Sequence, residues 1–264
     1  MHIKSTLLSS PHAFSCRGGG VSELEHTKSL NLAFGRGDGD GTVLQNLKIF
    51  ASEVGFDAED VISLPQIHSN TVFEVGLSDR GKGYYIRDGI LSGDGYVTDE
   101  RGVVLGIKTA DCTPILFEAV KNGEVVAVGA VHAGWRGCAA GILEKTVQSM
   151  TEAFGSQPAD LLAAIGPCIG PCCFETDDDV ADAMMAALGC ETALSYLERH
   201  GSKWHVDLEG LNRQWLLRAG LVPEHIDPCG LCTACHPDLF WSHRKMGNAR
   251  GAQIAMISLP EKTL

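Results

Sequence analysis

An α/β fold is expected for this 264-residue chain, and three features of its sequence carry that expectation. Two apolar, β-branched runs, Pro114 to Val120 and Val125 to Val131, flank an Asn122-Gly123 step, the strongest short-range hairpin signal a sequence offers. Beyond them Ala139, Ile142, Leu143, Val147, Met150 and Phe154 fall on one helical face that Gly155 closes, so a helix follows the strands. Further on, strand-like and helix-like segments alternate down to a final apolar run from Gly251 to Ser258. The length suits one large α/β domain or two small ones, and 44% hydrophobic content is ordinary for a globular chain with a sizeable core. No linker and no repeat interrupts it.

In chain order, residues 11 to 45 hold Arg17-Gly-Gly-Gly-Val-Ser22 and Gly35-Arg36-Gly-Asp38-Gly-Asp40-Gly. So many glycines permit positive φ and close backbone approach, which suits a loop that wraps a ligand and equally a flexible surface loop. No Gly-Lys-Ser/Thr follows, so the stretch is not a nucleotide phosphate loop. Val43, Leu44, Leu47, Ile49, Phe50 and Val54 fall near helical spacing and predict a surface helix from Thr42 to about Gly55. Ile62 to Val75 reads as a strand interrupted from Gln66 to Asn70, where polar residues gather and His68 is displayed. Asp88 to Asp99 is turn-rich and leads into the hairpin. After the hairpin, Gly134-Trp135-Arg136-Gly137 precedes the periodic segment, so Arg136 is expected at a helix N-terminus, where free N–H groups and the dipole favour anions. Leu161 to Ile165 reads as a strand, Asp178 to Leu188 as a helix with acidic residues at its start, and Trp204 to Asp207 as a short strand. A helix from Leu208 to Ala219, closed by Gly220, a loop from Phe240 to Lys245 and the buried final strand complete the chain.

A formal charge of -12 and a pI near 5.2 argue against nonspecific nucleic-acid binding, which needs clustered Lys and Arg on phosphates. The N-terminus has no sustained apolar core of a signal peptide, and no run approaches the roughly 18 apolar residues of a membrane helix. The chain is therefore expected in the cytoplasm, with no membrane partner. In a reducing compartment its ten cysteines read first as thiols or metal ligands and only then as disulfides.

The hairpin brings Cys112 and His132 near each other. If its loop is Asn122-Gly123, paired residue numbers sum to 245; if the loop is Lys121 to Gly123 they sum to 244, and Cys112 lies opposite His132. Neighbouring strands lie about 4.8 Å apart, so either register allows a metal pair or a nucleophile with its base, Asp111 orienting the imidazole. His68 is the best third ligand by its polar setting. Cys229-Gly-Leu-Cys232-Thr-Ala-Cys235-His236 echoes haem attachment and an iron-sulfur run, but the chain lacks an export signal and the Cys-Pro that completes the latter. A second zinc site or a redox-labile thiol pair stays open there. Pro167-Cys168-Ile-Gly-Pro-Cys172 has a gap one residue too long for a zinc nucleobase deaminase, and no His-x-Glu exists in the chain, so that class is rejected. Absence of His-x-His counts against a multicopper oxidase. Arg17, Arg36, Arg136 and Arg244 are the candidates for anion binding, since guanidinium forks suit phosphate oxygens.

Gln66-Ile-His68-Ser, Asp94-Gly-Tyr-Val-Thr-Asp99, Thr109-Ala-Asp-Cys112-Thr-Pro, His132-Ala-Gly-Trp-Arg136-Gly, Ala164-Ile-Gly-Pro-Cys168-Ile-Gly and Ser242-His-Arg244 together resemble the bacterial YfiH/YlmD-type family. Its members have been named laccase-domain or polyphenol oxidase proteins, and it includes purine nucleoside phosphorylase and adenosine deaminase enzymes. The resemblance covers nearly the whole chain and implies a single α/β/β/α layered domain over residues 1–264. It implies a zinc ion held by two His and one Cys, here His68, Cys112 and His132, with copper the lesser expectation. The implied reactions are phosphorolysis of adenosine, inosine, guanosine and methylthioadenosine, and hydrolytic deamination of adenosine, with purine nucleosides and phosphate as partners. Zinc would activate water toward purine C6, and arginines would hold phosphate beside the ribose anomeric carbon. Arg136 is nominated for that anion, Arg17 and Arg244 as weaker candidates, and Asp111 for positioning the ligands or transferring protons. The C-terminal cysteines Cys229, Cys232 and Cys235, with Cys173, exceed the family expectation. Rival readings are a copper-dependent phenol oxidase, a cysteine amidase trimming cell-wall precursors through Cys112 and His132, and a noncatalytic metal-binding or redox-sensing protein.

Overall fold

The computed structural model describes residues 1–260. Strand β1 (His2–Ile3) pairs antiparallel with β2 (His12–Ser15), and helix α1 (Asp40–Val54) follows the glycine-rich stretch, closed by Gly55 at φ 92°, the left-handed cap that glycine adopts without penalty. Strands β3 (Val61–Ile62) and β4 (Val72–Glu74) are the two ends of the expected interrupted strand. They belong to different sheets, because the polar break carries the chain from one sheet to the other. The turn-rich stretch before the hairpin holds a wholly buried strand, β5 (Gly95–Thr98). Strand β6 (Val104–Thr109) then leads to the hairpin of β7 (Thr113–Lys121) and β8 (Glu124–Ala133).

The hairpin has the two-residue loop, with Asn122 at φ 53° and Gly123 at φ 81°, the left-handed pair that suits a type I′ turn. Lys121 faces Glu124, but an irregularity after Ala119 shifts the pairing, so that Ala119 faces Ala127 and Pro114 faces His132. The expectation of Cys112 opposite His132 is thus corrected. Cys112 lies one residue beyond the last pair, Thr113 with Ala133, because a bulge adds one residue to the second strand.

After the hairpin the expected single helix is two, α2 (Trp135–Ala139) and α3 (Ile142–Phe154), parted by Gly141 at φ 84°. Arg136 therefore starts a five-residue helix, too short for the dipole that the sequence suggested would hold an anion there. Strands β9 (Leu161–Ile165) and β10 (Glu175–Thr176), helices α4 (Asp178–Leu188) and α5 (Cys190–Leu194), strands β11 (Leu197–His200) and β12 (Lys203–Val206), and helix α6 (Leu208–Arg218) follow. Strand β13 (Ile226–Pro228), a short helix α7 (His243–Met246) where a loop was expected, and β14 (Gln253–Ser258) complete the order.

Two large sheets result, one ordered β1-β2-β14-β6-β3 and one β13-β9-β7-β8-β5-β4, with a small sheet β10-β12-β11 beside them. Alternation along each strand sorts side chains to two faces. On β14, Ala255 and Ile257 join Leu105, Ile107, Leu116, Val128 and Ala130 in an apolar layer between the sheets, while Ile254 and Met256 pack with Val43, Leu47 and Phe50 of α1. On β7, Ile115 and Phe117 face Leu143, Val147, Met184 and Trp215 of the helices on the far side. The layers are therefore helix, sheet, sheet and helix. Each such fully buried aliphatic or aromatic side chain contributes about 1.5–3 kcal/mol from apolar burial. Among the described residues no helix is long and apolar enough to cross a membrane.

The chain crosses between the two sheets at residues 63–71 and again at residues 110–112, and the second sheet's β8 ends at the same side. These crossings position the site.

Candidate active site

His68 sits in the first crossing, Cys112 in the second, and His132 near the end of β8. Their ligand-capable atoms all lie within 4.8 Å of one another; Cys112 Sγ is 4.0 Å from His68 Nε2, and the two imidazole centroids are 4.8 Å apart. Gly134 makes the approach feasible, since a Cβ there would stand 3.1 Å from Cys112 Sγ and 3.4 Å from His68 Cδ2.

Asp94 binds the arrangement together. Its carboxylate, fully buried, takes the His132 Nδ1 at 2.8 Å and accepts from the His68 amide at 3.0 Å on one oxygen. The other oxygen accepts from the Ser69 amide at 2.6 Å and the Ser69 hydroxyl at 2.7 Å. These bonds hold His68 at φ 58°, a strained conformation for a residue with a side chain. With Nδ1 of His132 committed to a carboxylate, Nε2 is the ligand atom, the usual outer partner of a metal-binding imidazole. Burial opposes the Asp94 carboxylate, but His132 and Ser69 hold it down at about 2. Burial likewise opposes the Cys112 thiolate, yet the imidazoles of His132 and His68 bring it down to about 6. Against its own burial His132 is pushed up to about 9 by Cys112 and Asp94. Two imidazoles and one thiolate suit a borderline-soft divalent metal, and three protein donors with one exposed side match a metal centre that keeps a position open.

Asp111 precedes Cys112 at φ 97°, and its carboxylate accepts from Thr233 Oγ1 and from the Arg244 amide, both at 2.6 Å. Those bonds offset a backbone conformation that costs about 1–3 kcal/mol.

Two cavities meet at His68 and Cys112. One, of about 430 Å³, carries the cations Arg36, Lys108 and Arg250 beside Phe34, Ser63 and Gln66; the other, of about 360 Å³, carries Trp135, Phe174, Ile169, Asp111, Arg136 and Arg244. His68, Cys112 and Arg250 border both. None of these cations forms an ion pair among the described residues, in a chain whose formal charge is -12. Lys108 donates to the Ser63 carbonyl at 3.1 Å and hydroxyl at 2.9 Å and lies 5.0 Å from the Tyr84 ring centre. Burial brings its amine down to about 8. Burial and the neighbouring Arg36 bring Arg250 down to about 10.

Of the sequence candidates, His68, Asp111, Cys112, His132, Arg136 and Arg244 border these cavities, and Arg17 does not. The Arg17 guanidinium stacks 4.0 Å from the Trp241 ring centre and donates to the carbonyls of Pro237 and Lys28, so those groups occupy it. Arg36 was among the candidate anion binders but not advanced. Asp94, Lys108 and Arg250 were missed. Asp94 lies between Gly93 and Gly95, whose added Cβ atoms would meet Phe73 at 2.6 Å and Val72 at 2.9 Å; two glycines around an acid were its signal. A lysine within the apolar run of β6 was the signal for Lys108, and Arg250 had none.

Among the described residues the only groupings able to hold a metal are this trio and one of four cysteines, so the several histidine-rich centres of a multicopper oxidase are not assembled. The family model described as "Multi-copper polyphenol oxidoreductase laccase" nevertheless matches residues 11–260. A relative named purine nucleoside phosphorylase YlmD from Geobacillus stearothermophilus is 37% identical over 235 residues, 89% of this chain and 85% of its own. Its namesake from Bacillus subtilis is 36% identical over 94% of this chain and 88% of its own. The crystal structure of YlmD from Geobacillus stearothermophilus superposes with a TM-score of 0.90 at 35% identity, over 97% of this chain and 94% of that one. That of the Bacillus licheniformis hypothetical protein YfiH gives 0.87 at 33%, over 94% and 92%. With most of its length matched and its fold shared in this way, the chain belongs to the laccase-described family of YlmD and YfiH.

Proposed function

We propose that the chain is a zinc-dependent, cytoplasmic purine nucleoside phosphorylase acting on adenosine, inosine, guanosine and methylthioadenosine, with hydrolytic deamination of adenosine as a second activity. The observation that carries this reading is the meeting, at His68 and Cys112, of two cation-bearing cavities, one bordered also by His132 and the other by Trp135 and Phe174. Phosphorolysis needs two reactants held side by side, an anion and a flat, partly apolar nucleoside, and two adjoining cavities, both carrying cations and one also carrying Trp135 and Phe174, supply that proximity. The names of the relatives point the same way.

In this reading Arg36, Lys108 and Arg250 take phosphate, and Trp135 and Phe174 take the purine face. The phosphate oxygen bonds to the ribose anomeric carbon as the glycosidic bond to the purine nitrogen breaks, and the base leaves with a proton. Cations fixed before the reaction stabilise the charge that develops, without reorganising. Arg136 and Arg244 hold the nucleoside side, and Asp111, kept in place by Thr233 and Arg244, accepts a nucleoside hydroxyl or moves the proton. Zinc held by His68, Cys112 and His132 supplies Lewis acidity at the junction. Loss of an ordinary phosphate contact costs about 1.5–3 kcal/mol.

The test is to incubate metal-defined protein with adenosine and phosphate and to separate adenine, inosine, hypoxanthine and ribose 1-phosphate. Adenine with ribose 1-phosphate is expected, with inosine as the second product. No purine product at any metal loading, with Cys112→Ala changing nothing, overturns the reading. The amidase alternative predicts activity on cell-wall precursors that survives chelation and is abolished by thiol alkylation.

A further inference from the structure

A second group of side chains lies outside the reaction described above. Cys172 and Cys173 follow β9 on one loop, and Cys232 and Cys235 stand on the loop after β13. Their four sulfurs all lie within 4.8 Å of one another, with Cys235 Sγ 3.3 Å from Cys172 Sγ and 3.4 Å from Cys173 Sγ. We infer that these four thiols form a structural metal site, a tetrathiolate centre for a divalent ion of the zinc class.

The distances separate this from a disulfide. A tetrahedral centre with metal–sulfur bonds of about 2.3 Å has sulfur edges of about 3.8 Å, within the span of the four atoms. A disulfide would draw two sulfurs to about 2.05 Å and leave the other two aside, and Cys235 stands almost equally near two partners. The sequence pattern agrees: Cys232-x-x-Cys235 is a two-residue gap of the kind that wraps a chain around one ion, and Cys172-Cys173 completes it from a distant segment.

Backbone contacts hold the two loops together. Cys168 and Cys232 form a parallel bridge between the loops, the Thr233 amide donates to the Cys168 carbonyl at 2.9 Å, and the Cys168 amide donates to that of Leu231 at 3.3 Å. The Gly170 carbonyl accepts from the Cys173 and Phe174 amides at 3.0 and 2.9 Å. A Cβ on Gly170 would stand 3.2 Å from Cys232 Cβ and 3.5 Å from Cys172 Sγ, so glycine leaves the sulfurs room to close. On binding, the four thiols release four protons and the centre carries a net charge of minus two. The Arg244 guanidinium, which donates to the Cys173 carbonyl at 2.8 Å, stands beside it.

The site clamps together the loop that carries Ile169 and Phe174 and the loop that carries Thr233, the partner of Asp111. Its bearing on the purine cavity rests on the function proposed above; the binding of metal does not.

The test counts metal in protein purified under reducing conditions and loaded with zinc. Two ions per chain are expected for the unaltered protein. His68→Ala with His132→Ala, which dismantles the trio, should keep one, and Cys232→Ser with Cys235→Ser should lose one. Cobalt(II) loaded into the His68→Ala, His132→Ala protein should give intense thiolate-to-metal charge-transfer absorption together with tetrahedral visible bands. No ion retained in the His68→Ala, His132→Ala protein, cobalt without the charge-transfer bands, or a Cys172–Cys235 disulfide found by mass spectrometry in place of metal would each overturn the proposal. Should the serine variant fail to fold, the cobalt spectrum decides, because it leaves all four cysteines intact.

Discussion

The Asp94 carboxylate accepts from three backbone amides, those of Ile67, His68 and Ser69, from a hydroxyl and from the His132 ring, so a substitution there reaches the metal trio without removing a ligand. Asp94→Asn should lower zinc affinity about 10–100-fold, as loss of an outer partner does elsewhere. Competition against a chromophoric chelator measures it, and unchanged affinity would strip Asp94 of that role. Lys108 offers a pH test. Its amine, brought from 10.5 to about 8 by burial, loses its charge as pH rises through about 8, so the KM for phosphate should climb there and Lys108→Met should flatten the profile. Between about 8 and 10.5 the unfolded chain holds this proton and the folded chain does not; Lys108 therefore makes stability rise with pH across that window. Cys112 and His132 were legible because they end two β-branched runs around an Asn-Gly step, and His68 because polar residues break a strand. Lys108 and Arg250 matter because neither forms an ion pair among the described residues, a property that no stretch of sequence carries.

The hairpin of β7 and β8 shows how local chemistry and tertiary packing divide the labour. Its turn follows from Asn122 and Gly123, the two residue types that adopt left-handed backbone most readily. Gly123 at φ 81° has nothing within 4 Å of an added Cβ, so Gly123→Ala tests backbone strain alone. It should cost about 1–2 kcal/mol, read as a lower denaturant midpoint with unchanged slope, while zinc affinity stays the same. At the other end of the hairpin Gly134 has Cys112 and His68 against it. Gly134→Ala should displace those side chains, destabilise by about 1–3 kcal/mol and weaken zinc binding as well, and a titration that finds zinc affinity intact would refute the close approach argued for the trio. The bulge that shifts the pairing between Ala119 and Val120 had no signature in the sequence. Nor did the break between α2 and α3: Gly141 sits inside an apolar period that continues through it.

Between the two sheets, Leu105, Leu116, Val128 and Ile257 form a layer with no solvent exposure, and this layer couples both sheets, and with them the two crossings and the end of β8 that carry the trio. Leu116→Ala should cost about 2–5 kcal/mol. We expect residues 1–264 to unfold as one domain, so tryptophan fluorescence and far-ultraviolet circular dichroism should report a single transition that the substitution lowers by the same amount. Two separated transitions would mean that the sheets are independent units. An acidic protein has a cationic cavity because Arg36, Lys108 and Arg250 come from three distant stretches that meet when β14 pairs with β6 and α1 packs on that sheet.

Much of the secondary structure was written locally. Alternation with a period of two marks the strands, apolar spacing near 3.6 marks α1, α3, α4 and α6, and left-handed residues mark the ends. These patterns repeat within a few residues and need no partner to be read. The meeting of His68, Cys112 and His132 was implied by resemblance, but the crossings, the bulged register, the Asp94 bonds and the union of Cys172 and Cys173 with Cys232 and Cys235 belong to the folded chain. The reason is physical: each depends on which sheet a segment joins, and that choice is settled by the burial of two faces at once, between elements that lie far apart along the sequence.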